Sequence, residues 1–466
     1  MQVQSGNPDT ITAIATARGQ AALAIVRTSG PDAIGVVDRC FDGADLASVA
    51  SHTAHVGFLV DADGEDVDQV VVTVFRGPNS ATGEDVVEVS CHGGNLAPQM
   101  VLQSLLDHGA RMAEPGEFTQ RSFLNGKLDL AQAEAVADLI HASSTKAHRM
   151  SLRHLKGRYS ELLEELRQEL LDLSSLVELE IDFSEEDVEF ADRERLDDLL
   201  ADAETVLRAL LDSYQTGEKI KDGIRVVIGG RPNAGKSTLL NAFVGRDRAI
   251  VSETPGTTRD EIEAEAEIGG VLYRFVDTAG LRDTSDQIEA EGVRRAERSI
   301  EQADVLLYVY DVTRGLDDEE QAFLEGLAGD EAGVEVILVA NKSDLADQTA
   351  RPAEVDGLSP HVLSATEARR DADRLDALLG RLSDVVAEEL SRSDASAVVM
   401  NKRHRQHLGN ALEAVRQAQE ALEQGVSGDM LTLDLREALH ELGAITGEIT
   451  NEDVLDQIFS RFCIGK

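Results

Sequence analysis

The chain has 466 residues, with 87 Asp and Glu against 44 Lys and Arg and a formal net charge of −43. That length allows about three domains, and that charge should repel nucleic acid, so any RNA contact needs a local basic patch or strong salt; the same charge suits a high-salt cytoplasm, where screening removes self-repulsion. Three scattered cysteines, Cys40, Cys91 and Cys463, argue for a reducing cytoplasm and against a disulfide framework, no stretch reads as a signal peptide, and apolar runs such as 305–310 are too short to span a membrane.

Residues 1–127 read as α/β. Segments 11–15, 23–26, 70–75 and 86–89 are short and rich in Val, Ile and Ala, as strands are. Gly93-Gly94 closes the last and opens a helix near 96–108. Arg27 and Glu88 fall at or near strand ends, where a solvated or paired surface charge is the ordinary reading. From Leu128 the period changes to 3.6, with Leu130, Ala133, Ala137 and Ile140 on one face, and 152–179 continues as one long helix. An acidic break at 182–187 reads as a solvated helix start, and 196–211 is a further amphipathic helix.

At Asp222 the chain returns to α/β. An apolar run, 224–228, leads into Gly230-Arg231-Pro232-Asn233-Ala234-Gly235-Lys236-Ser237, followed by Thr238 and a helical pattern. Strand, Gly-rich loop and helix in that order predict a phosphate-binding loop, with Lys236 reaching the outer phosphates and the Ser237 hydroxyl on Mg²⁺. Residues 261–268, Gly269-Gly270 and 271–276 read as a hairpin, while 305–310, 336–340 and 361–363 are buried strands separated by helices, as parallel βαβ units require. A helix over 375–390 closes this block. Beyond it the chain is helical, through 410–422 and 431–442.

Further nucleotide motifs follow the loop. Gly256-Thr257-Thr258-Arg259-Asp260 is a switch candidate, with Thr258 as a second Mg²⁺ ligand. In Asp277-Thr278-Ala279-Gly280, Asp277 can hold Mg²⁺ through water and the Gly280 N–H can sense a γ-phosphate. In Asn341-Lys342-Ser343-Asp344, the Asp344 carboxylate accepts two hydrogen bonds from the guanine edge that adenine cannot supply. Ser364-Ala365-Thr366 can offer a backbone N–H to the guanine oxygen. Order and spacing together predict GTP. Leu281 stands where Ras-like enzymes carry a water-orienting glutamine, so another group must do that work; Arg282, Asp283, Asp286 and Glu289 are nearby.

These motifs, with Gly83-Glu84-Asp85-Val86-Val87-Glu88, Pro115-Gly116-Glu117-Phe118, Leu128-Asp129-Leu130-Ala131-Gln132-Ala133-Glu134 and the terminal Phe462-Cys463-Ile464-Gly465-Lys466, give a sequence that resembles the MnmE/TrmE family of tRNA-modification GTPases from end to end. The resemblance implies a multidomain α/β plus all-α fold. It has an N-terminal folate-binding and dimerisation domain (1–127), a helical domain (128–221 and 391–466) and a Ras-like P-loop G domain (222–390) inserted in the helical one. It implies a tetrahydrofolate one-carbon donor, 5-formyl- or methylene-, held by Arg27, Glu88, Lys127 and Lys466. It implies K⁺ near Asn233, Ser252, Thr254 and Thr257, a nucleotide contact along Ser252, Glu253, Thr254 and Pro255, and Glu289 as the water-orienting group, with Arg282 and Cys463 as further catalytic candidates. It implies a homodimer that joins a flavin-dependent partner in a heterotetramer and installs a carboxymethylaminomethyl-type group on C5 of the wobble uridine of certain tRNAs. The family's Gly-rich N-terminal stretch is here Ala17-Arg18-Gly19-Gln20-Ala21-Ala22, Ser80-Ala81-Thr82 lacks the usual aromatic, and Ser184 replaces a common proline. A buried thiol is the ordinary reading of Cys463. Two other functions compete: a ribosome-assembly GTPase switching on rRNA, which predicts a basic domain after the G domain, and a folate-binding scaffold with a vestigial nucleotide site.

Overall fold

The structure, a computed structural model, describes residues 9–182, 193–244, 264–277, 298–329, 334–346, 352, 355, 357–390, 401–424, 426 and 428–465. In chain order its elements are β1 (Ile11–Ile14), β2 (Leu23–Ser29), α1 (Ala33–Asp38), β3 (Phe41–Asp42), β4 (Thr53–Val60), β5 (Asp66–Phe75), β6 (Val86–His92), α2 (Ala97–Asp107), β7 (Arg111–Met112), α3 (Glu117–Leu124), α4 (Leu130–His141), α5 (Thr145–Leu155), α6 (Arg158–Asp182), α7 (Arg193–Asp222), β8 (Ile224–Gly229), α8 (Lys236–Val244), β9 (Ala264–Ile268), β10 (Val271–Asp277), β11 (Val305–Asp311), α9 (Asp318–Gly329), β12 (Glu335–Asn341), β13 (His361–Val362), α10 (Ala365–Ala368), α11 (Asp376–Leu390), α12 (Lys402–Glu423), α13 (Gly428–Thr446) and α14 (Glu452–Phe459). They form two compact units, one of Met1–Ile140, Ser151–Leu207 and Gln406–Lys466, the other of His141–Met150 and Arg208–Arg405.

The first unit is built on a seven-stranded sheet in the order β3-β4-β5-β6-β2-β1-β7, antiparallel except for the β1–β7 pair. One face buries Val26, Val70, Val72, Val74, Val87 and Val89 against Val36 of α1 and Val101 and Leu105 of α2. The helices α6 and α13 pack antiparallel, with ion pairs Arg167–Glu448 and Arg436–Glu178, both 2.8 Å, near opposite ends. The C-terminal turn is docked. Phe459 and Phe462 are buried with Leu130 and Ala133 of α4, Ile464 bridges Pro115, and a Cβ on Gly465 would lie 2.3 Å from the Ile14 carbonyl oxygen.

The second unit holds a six-stranded sheet, β13-β12-β11-β8-β10-β9, parallel except for the β10–β9 hairpin. Alternation along β8 sends Ile224, Val226 and Ile228 to a core shared with α8 and α11, and Val227 to a second core with Leu324 of α9. The result is a doubly wound three-layer fold whose parallel strands end on one edge, where such folds bind ligands.

The predicted long helix over 152–179 is two helices, α5 and α6, separated at Gly157, which takes φ +85°. The helix read over 196–211 extends to Arg193–Asp222. The strand β4 and the helices α1 and α3 carry no expectation from the sequence. No helix among the described residues is long and apolar enough to cross a membrane.

Candidate functional site

The phosphate loop leaves β8 at Gly230 and enters α8 at Lys236. Its backbone is one that side chains resist: φ is +127° at Gly230, +66° at Asn233 and +100° at Gly235. A Cβ would meet the Val309 carbonyl oxygen at 2.0 Å from Gly230 and the Asn341 Nδ2 at 2.2 Å from Gly235. The glycines therefore serve close approach as well as rotation. Lys236 is 6% exposed and its Nζ donates to the carbonyls of Gly230 (2.8 Å) and Arg231 (3.0 Å). That holds the ammonium over the curl of the loop.

Ser237 Oγ donates to Asp277 Oδ2 at 2.7 Å. Asp277 ends β10, is buried, and sits beside Ile228 of β8 in register. Parallel pairing thus brings two residues forty positions apart onto one edge, where a hydroxyl and a carboxylate form the hard-oxygen set that suits Mg²⁺ with water completing its shell. Asn341, 2% exposed, donates from Nδ2 to the Ala234 carbonyl (2.7 Å) and accepts the Ala365 N–H at Oδ1 (2.9 Å). It ties the phosphate loop to the Ser364-Ala365-Thr366 turn, where Ser364 caps α10 by accepting the Glu367 N–H at 3.3 Å. Lys342 takes φ +65° and its Nζ donates to Asp311 Oδ2 at 2.7 Å. Burial pushes the Asp311 carboxyl up, but its bonds to Lys342 and Thr313 outweigh that and hold it below the ordinary value. Asp344 stands exposed on a single turn, Ser343–Leu345, where a ligand can reach its carboxylate.

Two groups here were missed by sequence reasoning. Asp311 ends β11 directly opposite Asn341 in register, which the register alone reveals. Arg231, inside the loop, pairs with Asp317 and, at 3.3 Å from Nε, with Glu320; Glu320 also accepts the Tyr308 hydroxyl at 2.9 Å. Asp317 and Glu320 form a reciprocal cap at the start of α9, whose D-x-x-E spacing was visible.

In the first unit, Arg27 and Glu88 lie opposite each other on β2 and β6 and form a fork of two bonds to Oε1, at 2.9 and 2.7 Å. The guanidinium stands 5.8 Å from the centre of the Phe118 ring. Lys127 is exposed and its Nζ donates to the Pro78 carbonyl at 3.0 Å, so it attends the 77–83 loop rather than the Arg27–Glu88 pair. In that loop Thr82 is fully buried and shares a 2.7 Å bond with Ser29. Cys463 is exposed, whereas Cys40 and Cys91 are buried, and burial pushes the Cys91 thiol up to about 11. The expectation of a buried Cys463 is corrected: the chain turns Phe462 inward, so its neighbour faces out. Gly116, from the other quoted motif, donates its N–H to the Cys463 carbonyl at 3.4 Å.

Ser252, Glu253, Thr254, Pro255, Gly256, Thr257, Thr258, Thr278, Ala279, Gly280, Arg282, Glu289 and Lys466 lie outside the described residues. Among the described residues no cluster of three or more His, Cys, Asp or Glu could hold a metal.

A parallel-sheet edge arranged in this way belongs to the P-loop guanine-nucleotide-binding proteins. Family comparison carries this further: residues 10–127 match the "GTP-binding protein TrmE N-terminus", and residues 130–463 match the "MnmE helical domain", a match that runs across the second sheet from one helical flank to the other. The tRNA modification GTPase MnmE of Salinibacter ruber (strain DSM 13855 / M31) is 74% identical over 458 residues, covering 98% of this chain and 99% of that one. The protein of the same description from Parabacteroides distasonis is 45% identical over 465 residues, covering 98% and 100%. The chain belongs to the MnmE family of tRNA modification GTPases. Among solved structures, Era of Aquifex aeolicus bound to GDP.AlF4- is 24% identical over 41% of this chain and 66% of that one, with a TM-score of 0.25.

Proposed function

We propose that the protein is the GTP-hydrolysing member of a tRNA-modifying enzyme. With a flavin-dependent partner it adds a carboxymethylaminomethyl-type group to C5 of the wobble uridine of certain tRNAs. The observation that carries the reading is the sheet edge on which Lys236, the Ser237–Asp277 pair, Asn341 and Asp344 converge, in a chain of this family. Lys236 faces the outer phosphates, Asp344 reads the guanine edge, and Ser237, with Thr258, holds Mg²⁺, which offsets phosphate charge when bound. Asn233, Ser252, Thr254 and Thr257 would hold K⁺ beside the phosphates, and Glu289 would orient the attacking water, the task Leu281 cannot perform. Asn233 takes φ +66° within the loop.

The one-carbon donor, a tetrahydrofolate derivative, is assigned to the first unit. Support comes from the Arg27–Glu88 fork beside Phe118 and from the terminal turn, where Gly465 lies against Ile14, the β1 partner of Val26 next to Arg27. Lys466 would follow from there. The domains proposed are 1–127, 128–221 with 391–466, and 222–390, working as a homodimer in the cytoplasm. The helical match on both flanks of the G domain disfavours the rRNA-switch reading, which requires a basic appended domain.

Two measurements test this. Deleting the gene should remove the modified wobble nucleosides seen by mass spectrometry, and an unchanged nucleoside profile refutes the tRNA role. GTP hydrolysis should run faster in K⁺ than in Na⁺ of equal ionic strength, and equal rates remove the cation role.

A further inference from the structure

We infer that Arg231 is a positioning residue for GTP hydrolysis: it ties the phosphate loop to the start of α9 and so fixes a carbonyl that holds the Lys236 ammonium. The observation is a division of labour among four carboxylate oxygens. Asp317 and Glu320 cap α9 with one oxygen each. Asp317 Oδ1 accepts the Glu320 N–H at 2.9 Å, and Glu320 Oε2 accepts the Asp317 N–H at 3.1 Å. The other two oxygens face the loop: Asp317 Oδ2 pairs with Arg231 Nη2, and Glu320 Oε1 lies 3.3 Å from Arg231 Nε. Nε and Nη2 form one edge of the guanidinium fork, so a single planar group meets both carboxylates. Glu320 is 6% exposed, and its Oε1 also accepts the Tyr308 hydroxyl at 2.9 Å, which fixes its aim. Tyr308 is the β11 partner of Gly229 at the end of β8, where a Cβ would stand 3.6 Å from the tyrosine ring.

The helix does not need this arginine. α9 already has its reciprocal cap, and Asp318, Glu319 and Glu320 in its first turn suit the helix dipole. The Arg231 and Asp317 side chains are 52% and 39% exposed, where an ion pair contributes little to stability. What the pair supplies is position. Arg231 is held from two directions: its side chain by α9, and its carbonyl by the Lys236 Nζ that donates to it at 3.0 Å. At the other end of the turn, Asn341 Nδ2 donates to the Ala234 carbonyl at 2.7 Å. The loop is thereby clamped on both sides of Pro232 and Asn233, and a shift of Arg231 carries the ammonium with it. Lys236 must meet charge as it develops on the outer phosphates, and a misplacement of about 1 Å in such a group costs up to about 10²-fold in rate. This inference rests on the role proposed above for Lys236.

The test measures single-turnover hydrolysis at saturating GTP, GDP affinity and melting temperature of the full-length protein in one KCl buffer. Arg231→Gln should slow hydrolysis by about 10- to 10²-fold, while GDP affinity and melting temperature stay near wild-type values. Arg231→Lys keeps the charge but not the fork, and its rate should fall between the two. Asp317→Asn keeps the cap, which Asn serves as well as Asp, and removes the charge that Arg231 meets; it too should slow hydrolysis. The double variant Arg231→Gln/Asp317→Asn should be no slower than Arg231→Gln alone, because both changes break one link. If Arg231→Gln does not fold, Asp317→Asn decides by the same readouts. A wild-type rate in the single variants, or losses that add in the double variant, overturns the positioning role. Slower hydrolysis that comes with a lower melting temperature in both single variants makes the pair a helix brace and overturns it as well. So does faster hydrolysis by Asp317→Asn, which would show a released arginine acting on the phosphates itself. Lys236→Ala in the same assays separates the two readings. Wild-type binding and hydrolysis by Lys236→Ala overturn the role of Lys236 and this inference together, whereas weakened binding by Lys236→Ala beside normal hydrolysis by Arg231→Gln overturns this inference alone.

Discussion

At Lys236 the nucleotide chemistry proposed above rests on a single side chain. Its ammonium is held by two carbonyls of the loop it must serve, so its position does not depend on the ligand's arrival. Lys236→Ala should weaken GTP and GDP binding by at least about tenfold, the loss of one charge-assisted contact, read by titration with a fluorescent nucleotide; unchanged affinity would show that the loop does not work as argued. Glu289→Ala should separate binding from chemistry. It should lower kcat by about 10²-fold with nucleotide affinity nearly constant, as removal of a water-positioning group does, and single-turnover hydrolysis at wild-type speed would remove Glu289 from the mechanism. The motif residues were legible because phosphate loops dictate residue type locally. Asp311 and the Arg231–Glu320 contact were not, because each depends on which strand or helix the fold sets beside the loop.

Elements were legible where hydropathy changed along them. The strands β8, β11 and β12 are buried runs and read as such. In β4 the outward positions are Ala54, Val56 and Phe58, with Val56 66% and Phe58 41% exposed, while the less exposed face carries Thr53, His55 and Gly57 before Leu59, so the apolar-in, polar-out contrast that marks a strand is missing. The α5–α6 break was hidden because the amphipathic period continues across Gly157. Contacts between distant elements were beyond reach altogether. One is a charge network in the first unit: Arg121 of α3, 6% exposed, reaches Asp9 (3.0 Å), Glu84 (3.1 Å) and Glu117 (2.9 Å), and Arg111 of β7 reaches Asp9 (2.6 Å) and Glu117 (2.7 Å). The Arg111 hydrogen bond holds Asp9 below its ordinary value. Burial pushes Glu117 up, but its bonds from Arg111, the Glu114 N–H and Arg121 bring it below the ordinary value. Folded-state values depressed in this way stabilise the fold above the unfolded carboxyl range near pH 4, and that contribution is lost as pH falls through the depressed values. Arg121→Met should therefore destabilise α3 by about 3 kcal/mol at pH 7, because Glu84 loses its guanidinium and Arg111 alone is left to offset Asp9 and the buried Glu117, and flatten its acid dependence. Hydrogen exchange of the α3 amides at pH 7 and at acid pH checks both, and exchange as slow as wild type at pH 7 would deny the network its structural role. The docked end is testable at the same scale. Deleting residues 463–466 removes the Pro115–Ile464 bridge and the Gly465–Ile14 contact, and should abolish tRNA modification while GTP binding and basal hydrolysis persist, because the phosphate loop belongs to the other unit. Modification at the normal rate by the truncated protein would reduce the tail to a finish for α14.

At the scale of the whole molecule the charge decides. With 87 acidic and 44 basic residues, the folded state gathers like charges that the unfolded chain keeps apart, and the cost falls as salt screens them. The Debye length shrinks from about 30 Å at 0.01 M to about 3 Å at 1 M, so most repulsion between surface carboxylates is gone at molar KCl. Local pairs such as Arg167–Glu448 and Arg416–Glu204, each 2.8 Å, weaken under the same screening, but exposed pairs contribute only about 0–1 kcal/mol each, and the 44 bases can pair no more than about half of the 87 acids. Repulsion therefore outweighs pairing, and the melting temperature should rise as KCl goes from 0.05 to 2 M. Sulfate would also strengthen apolar burial, so KCl is the salt that isolates the charge term at moderate concentration. Most of the gain should come below about 0.5 M, where the Debye length changes fastest. A midpoint that falls or stays level across that range would mean that the acids are already paired or hydrated, and that the high-salt adaptation read from composition is wrong.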